Sequence, residues 1–234
     1  MTRMLVSVRS VDEALIAARG GADFIDLKEP SDGALGGLPV ATIGAIVSAL
    51  RAHGIGLPVS ATIGDLPMNE LDGILAQVDA VGACGVDYVK VGIERGPEAF
   101  AVLDALSACD WPVVPVFIAD HGIDAALVAH ACTLGFPGLM VDTADKQAGS
   151  LFDAVPLPEL RRFVAQVRAS GRLVGLAGAL RTTHLPSVLA LAPDFAGFRS
   201  AVCVGDRATA LCPQRLAELA GLLHGQQAVE PAAA

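Results

Sequence analysis

The feature that most constrains this chain is an eightfold alternation of short β-type runs with Ala/Leu-rich helical stretches, sustained almost to its last residues. Runs at Met4–Arg9, Phe24–Lys28, Pro58–Thr62, Asp87–Val91, Val113–Ala119, Gly138–Asp142, Leu173–Ala177 and Phe195–Arg199 read as strands. Helical patterns follow them at Val11–Arg19, Val40–His53, Glu70–Ala83, Pro97–Ala108, Asp124–Leu134, Leu157–Ser170, Thr182–Leu191 and Pro213–Leu223. The punctuation agrees, with Pro97 and Pro213 at predicted helix starts and Gly20, Gly54, Gly135 and Gly171 just past predicted ends. Eight such units in 234 residues predict one (β/α)8 barrel, a TIM barrel, over residues 1–224. A doubly wound open sheet would carry a glycine-rich loop after its first strand. The chain has Val8-Arg9-Ser10-Val11-Asp12 there instead. Residues 225–234 read as a disordered tail.

Hydrophobic residues make up 53% of the chain and charged ones 18%, ample material for a buried core. A mean hydropathy of +0.56 raises the question of a membrane. The longest clean apolar run, Trp111–Ala119, is about half a span and holds two prolines. Arg3, Arg9 and Asp12 interrupt any signal-peptide core. The expectation is a soluble protein of the cytoplasm with no membrane partner. A net charge of −9, with no Lys/Arg run beyond Arg161-Arg162, argues against the basic stripe that nucleic-acid binding needs. Cys84, Cys109, Cys132, Cys203 and Cys212, odd in number and without a CxxC pair, read as reduced core thiols. No HExxH and no dense acidic cluster points to a metal, and no G-x-S-x-G elbow points to serine hydrolysis. Ala-rich helices permit a homo-oligomer without locating its interface.

In a barrel of this kind chemistry sits at the C-terminal strand ends. The ends read Asp26-Leu27-Lys28-Glu29-Pro30, Ser60 to Asp65, Tyr88-Val89-Lys90, Ile118 to His121, Asp142 to Lys146, Ala177-Gly178-Ala179 and Phe198-Arg199-Ser200. Of sixteen basic residues only Lys28, Lys90 and Lys146 are lysines, and all three fall at predicted strand ends. Arginine stays charged at any accessible pH, whereas a lysine beside other cations can become a neutral amine nucleophile. Asp26 and Lys28, two apart on one strand, share a face. With Lys90, Lys146 and Asp142 they give two carboxylates among three amines, a set suited to imine formation and proton transfer. The rival reading is a set of structural ion pairs. His121 is a candidate acid or base, or simply a solvated loop residue. Asp65 and Asp120 can equally cap loops. Gly178, Ala179, Arg199 and Ser200 occupy the loops after strands seven and eight, the usual phosphate site of this fold.

Taken together, Phe24-Ile25-Asp26-Leu27-Lys28-Glu29-Pro30 with Gly33 to Gly36, Val59 to Asp65, Asp87 to Gly92, Asp142 to Lys146, Leu176-Ala177-Gly178, Arg199 to Cys203 and Gly205-Asp206-Arg207 resemble the (5-formylfuran-3-yl)methyl phosphate synthase family over nearly the whole chain. The resemblance implies a barrel lyase of methanofuran and methylofuran biosynthesis in one-carbon metabolism. Such an enzyme condenses two molecules of glyceraldehyde 3-phosphate to 4-(hydroxymethyl)-2-furancarboxaldehyde phosphate with loss of phosphate and water. It implies no metal or organic cofactor, and the small-molecule partner it implies is the phosphorylated triose substrate. Carried onto this sequence, Lys28 is the Schiff-base lysine and Lys90 the proton acceptor, with Lys146, Asp26 and Asp142 assisting. Ser200 departs from the glycine expected at its place. The residues alone also leave open a class I aldolase on a phosphorylated sugar and a non-catalytic barrel that binds a phosphorylated metabolite.

Overall fold

Strands rich in Val, Ile, Leu and Phe hide both faces, and parallel strands buried on both faces are the normal staves of an α/β barrel. The computed structural model describes residues 1–33, 35–145 and 148–225. In it β1 (Arg3–Val8), β2 (Phe24–Leu27), β3 (Val59–Thr62), β4 (Tyr88–Ile93), β5 (Val113–Ile118), β6 (Gly138–Asp142), β7 (Leu173–Leu176) and β8 (Phe195–Phe198) pair in sequence order, all parallel. β8 returns to β1, with Arg3 opposite Phe195 and Val6 opposite Phe198, and the barrel is closed. The expected (β/α)8 architecture is present. Strand edges differ from the sequence reading by one or two residues, the usual uncertainty of element ends.

The helices are α1 (Val11–Arg19), α2 (Val40–Ala52), α3 (Leu71–Gly82), α4 (Ala99–Ser107), α5 (Ala125–Thr133), α6 (Leu151–Ala154), α7 (Leu157–Ala169), α8 (Leu185–Leu191) and α9 (Pro213–Gly225). Their apolar stripes cover the outward strand residues, such as Val89 and Val91 of β4 and Leu139 and Val141 of β6, in one large core. Ser10 begins α1 by accepting the Glu13 N–H, and Asp124 does the same for α5 at Ala126 and Leu127. The stretch 182–191 is a 3-10 turn (Thr182–His184) running into α8, and Ser200–Val202 forms a second 3-10 turn. The short α6 escaped the sequence reading.

The strand side chains that point inward form two layers. Leu5, Phe24, Val114, Val116, Met140 and Phe195 make an apolar lower cluster. One alternation further along the same strands come Ser7 on β1, Asp26 on β2, Lys90 on β4 and Asp142 on β6. Register aligns Ser7 with Asp26 and Asp26 with Ser60, so three polar side chains from neighbouring strands meet.

Two loop anchors frame the mouth. Asp65 accepts the Leu35 N–H at 3.1 Å, and Thr62 Oγ1 donates to the Gly36 carbonyl at 2.9 Å, tying the β2–α2 loop to β3. Asp120 accepts the N–H groups of Ala144 and Asp145 at 2.6 and 2.8 Å, tying the loop after β6 to β5. Both aspartates therefore serve as loop caps. Among the described residues no helix is long and apolar enough to cross a membrane. All five cysteines are free thiols.

Candidate active site

Four of the five sequence-nominated catalytic residues converge at the upper layer. Asp26, Lys28, Lys90 and Asp142 are 1, 5, 3 and 2% exposed, an unusual depth for charged groups and one that requires partners. Lys90 Nζ lies 2.9 Å from Asp26 Oδ1, and Lys28 Nζ lies 3.6 Å from Asp142 Oδ2. Lys146 falls outside the described residues.

Asp26 is the hub. Its Oδ1 accepts from Ser60 Oγ at 2.6 Å as well as from Lys90, and its Oδ2 accepts from Ser7 Oγ at 3.0 Å. Burial alone would push this carboxyl up. The Lys90 and Lys28 ammonium groups, with the Ser60 and Lys90 hydrogen bonds, outweigh burial and hold it below the usual carboxylate range. Asp142 is oriented from the other side, where Oδ1 accepts the Thr143 N–H at 2.8 Å. The arrangement alternates amine and carboxylate, so a proton handed to one group has an opposite charge beside it.

Sequence reasoning missed Ser7 and Ser60. Their signal was available, since each is a small hydroxyl among apolar strand residues on either side of β2, in register with Asp26.

Ser7, Asp26, Lys28, Lys90 and Asp142 line a cavity of about 40 Å³ together with Gly178, Ala179, Ser200 and Arg207. Gly178 adopts φ +118°, and a Cβ there would stand 3.0 Å from Leu151 Cβ and Thr143 Oγ1. Ala179 is also left-handed, at φ 45°. The turn after β7 thus bends sharply across the mouth. Above it opens a groove of about 1100 Å³ that shares Ser200 and Arg207 with the inner cavity.

Arg199 corrects the expectation placed on it. Its Nε donates to the Arg207 carbonyl at 2.8 Å, Nη1 to Glu13 Oε2 at 2.6 Å and the Ser7 carbonyl at 3.1 Å, and Nη2 to Glu13 Oε1 at 3.1 Å and the Thr209 carbonyl at 2.8 Å. A guanidinium has five N–H donors, and all five are used within the protein. None is left for a phosphate, so Arg199 is a brace between α1, β1 and the loop after β8. His121 is exposed and lines a separate cleft with Arg95, Glu159 and Arg162, away from the amine cluster. Among the described residues no group of three or more His, Cys, Asp and Glu side chains could hold a metal ion.

Comparison with known proteins adds two kinds of likeness. A family model described as 4-HFC-P synthase matches residues 4–220. The (5-formylfuran-3-yl)methyl phosphate synthase of Archaeoglobus fulgidus is 33% identical over 237 residues, spanning 95% of this chain and 100% of that protein. A Methylorubrum extorquens protein that carries the same name provisionally is 38% identical over 217 residues, or 92% of this chain and 89% of its own. Among solved structures, phosphoribosyl anthranilate isomerase from Thermotoga maritima matches with a TM-score of 0.71, covering 96% of this chain and 100% of that one. Its 12% sequence identity makes that a likeness of fold.

Proposed function

The chain belongs to the 4-HFC-P synthase family, and we propose that it builds the furan from two molecules of glyceraldehyde 3-phosphate through an imine on Lys28. The observation that carries this reading is the buried Lys28–Asp142 and Asp26–Lys90 set at the floor of one cavity. A (5-formylfuran-3-yl)methyl phosphate synthase must make a carbon–carbon bond and then eliminate, and both steps need an electron sink and repeated proton transfers.

In the proposed route one triose phosphate is isomerised to its ketone, with Lys90 moving the proton between carbons. Lys28 passes its ammonium proton to Asp142 and, as the neutral amine, attacks the ketone carbonyl. Water leaves and the imine forms. Loss of a carbon-bound proton gives an enamine, whose carbon adds to the aldehyde of the second triose phosphate. Elimination of phosphate, closure through a hydroxyl oxygen and dehydration aromatise the ring and release Lys28. Across the sequence two trioses lose one phosphate and two waters, and no electrons are gained or lost. That makes the enzyme a lyase working on soluble metabolites, here assigned to the cytoplasm and to the supply of furan for methanofuran-type carriers. Lys146, in the segment outside the described residues, is proposed to assist proton transfer. Gly178, Ala179 and Ser200 are proposed to receive phosphate oxygens.

Lys28→Arg is the sharp test because it keeps the charge but removes the nucleophile. The wild type is expected to generate a conjugated furan aldehyde, read as growing ultraviolet absorbance. The variant is expected to give none while remaining folded. Near-normal turnover by Lys28→Arg would end the imine mechanism. Carbon–carbon bond formation without furan absorbance in the wild type would point to an aldolase instead.

A further inference from the structure

The proposed condensation joins two anionic trioses, yet the inner cavity of about 40 Å³ has room for only a few waters. The carbon that meets Lys28 reaches that floor, and the Gly178–Ala179 corner lies beside it. A second triose phosphate has to approach from the outer groove. That groove is not generally positive: Arg181, Arg207 and Arg215 share it with Asp145, Asp206 and Glu218. A phosphate there needs one particular cation at the neck.

Arg207 meets that need. It is half-buried and lines both cavities. Among the described residues its guanidinium makes no hydrogen bond and no ion pair, although Asp142 and Asp65 lie within electrostatic reach. Arg215, by contrast, already donates to the Cys203 carbonyl. Burial draws the Arg207 pKa down, a cost that a bound dianion would relieve. The loop that carries it is also fixed. Arg199, tied to Glu13, grips the carbonyls of Arg207 and Thr209 at 2.8 Å each. One arginine is spent on holding the backbone, and the other is left with its fork unfilled.

Resting on the synthase reading, we propose that Arg207 anchors the phosphate of the second triose phosphate and orients its aldehyde toward the enamine on Lys28. A planar guanidinium at a neck offers paired donors to two phosphate oxygens, which fixes direction as well as position.

The test separates the two half-reactions in the full-length protein. Dihydroxyacetone phosphate with borohydride reports imine formation on Lys28, and furan absorbance against glyceraldehyde 3-phosphate concentration reports condensation. Arg207→Ala is expected to keep the reduced adduct within about twofold of wild type. Its kcat/KM for furan formation should drop about 10–100-fold, as for a lost charged hydrogen bond. Arg207→Lys should recover part of that loss, since it restores charge without the fork. Unchanged furan kinetics in Arg207→Ala would overturn this inference alone. Loss of adduct in step with furan would overturn it too, by assigning Arg207 to the first triose. A wild type that forms neither adduct nor furan would instead sink the synthase reading beneath it.

Discussion

The two inward-facing layers of this barrel are made by the same strands, two residues apart, and they do opposite work. β2 places Phe24 in the lower layer and Asp26 in the upper, β4 places Tyr88 and then Lys90, and β6 places Met140 and then Asp142. Below, Phe24 and Phe195 meet at a ring distance of 5.5 Å and seal the barrel with dispersion and apolar burial. Above, four charged groups are held almost out of water by pairing. The contrast teaches that the lower layer carries stability so that the upper one can hold charge where water would otherwise screen it.

The largest expected effect breaks the upper layer alone. Lys90→Gln keeps a donor toward Asp26 but removes the proposed proton carrier. Steady-state furan formation is expected to fall about 10²–10⁴-fold with the fold intact by circular dichroism. Phe195→Ala breaks the lower layer alone. It is expected to cost about 3–5 kcal/mol in urea unfolding while the folded fraction keeps near-normal turnover. If each of these variants damaged both activity and stability equally, the division of labour would be wrong.

Gly178→Ala sits at the boundary between the layers and the mouth. Its φ of +118° and the 3.0 Å contacts of a built Cβ predict a loss of about 1–3 kcal/mol, together with reduced turnover. The smallest effect is acid dependence. Asp26 is held below its unfolded carboxylate range, so its stabilising contribution is full above the unfolded pKa, about 3.9. That contribution fades as pH falls through the lower folded value. Urea midpoints are expected to drop as pH is taken below about 4, and to drop less steeply in Asp26→Asn.

How much of this could be read from the chain depends on distance along it. All eight strands were visible, because apolar runs alternated with helical patterns and glycine punctuation. The layer holding Asp26, Lys28, Lys90 and Asp142 was visible as well, since period-two alternation sets facing and barrel geometry brings alternate strands together. α6 was not, because four residues are barely one turn and show no periodicity. Arg199 was misread for a different reason. A strand-end Arg-Ser pair looks like a phosphate site, and nothing local reveals that Glu13, 186 residues earlier, accepts the guanidinium at 2.6 Å. Arg207 lies inside the Gly205-Asp206-Arg207 motif, yet that its donors are unfilled among the described residues emerges only with the loop folded over the mouth. Local pattern gives elements and facing, and only tertiary pairing tells which charges are spent and which remain available.

The central claim is that Lys28 is the covalent nucleophile, and one measurement addresses it directly. The folded protein is incubated with glyceraldehyde 3-phosphate, reduced with borohydride and mapped by peptide mass, with absorbance followed in an unreduced sample. The account predicts a triose-phosphate adduct on the peptide containing Lys28, absent in Lys28→Arg, and furan absorbance rising in the parallel cuvette. Furan formation with no adduct on Lys28, or with the adduct on Lys90 instead, would contradict it.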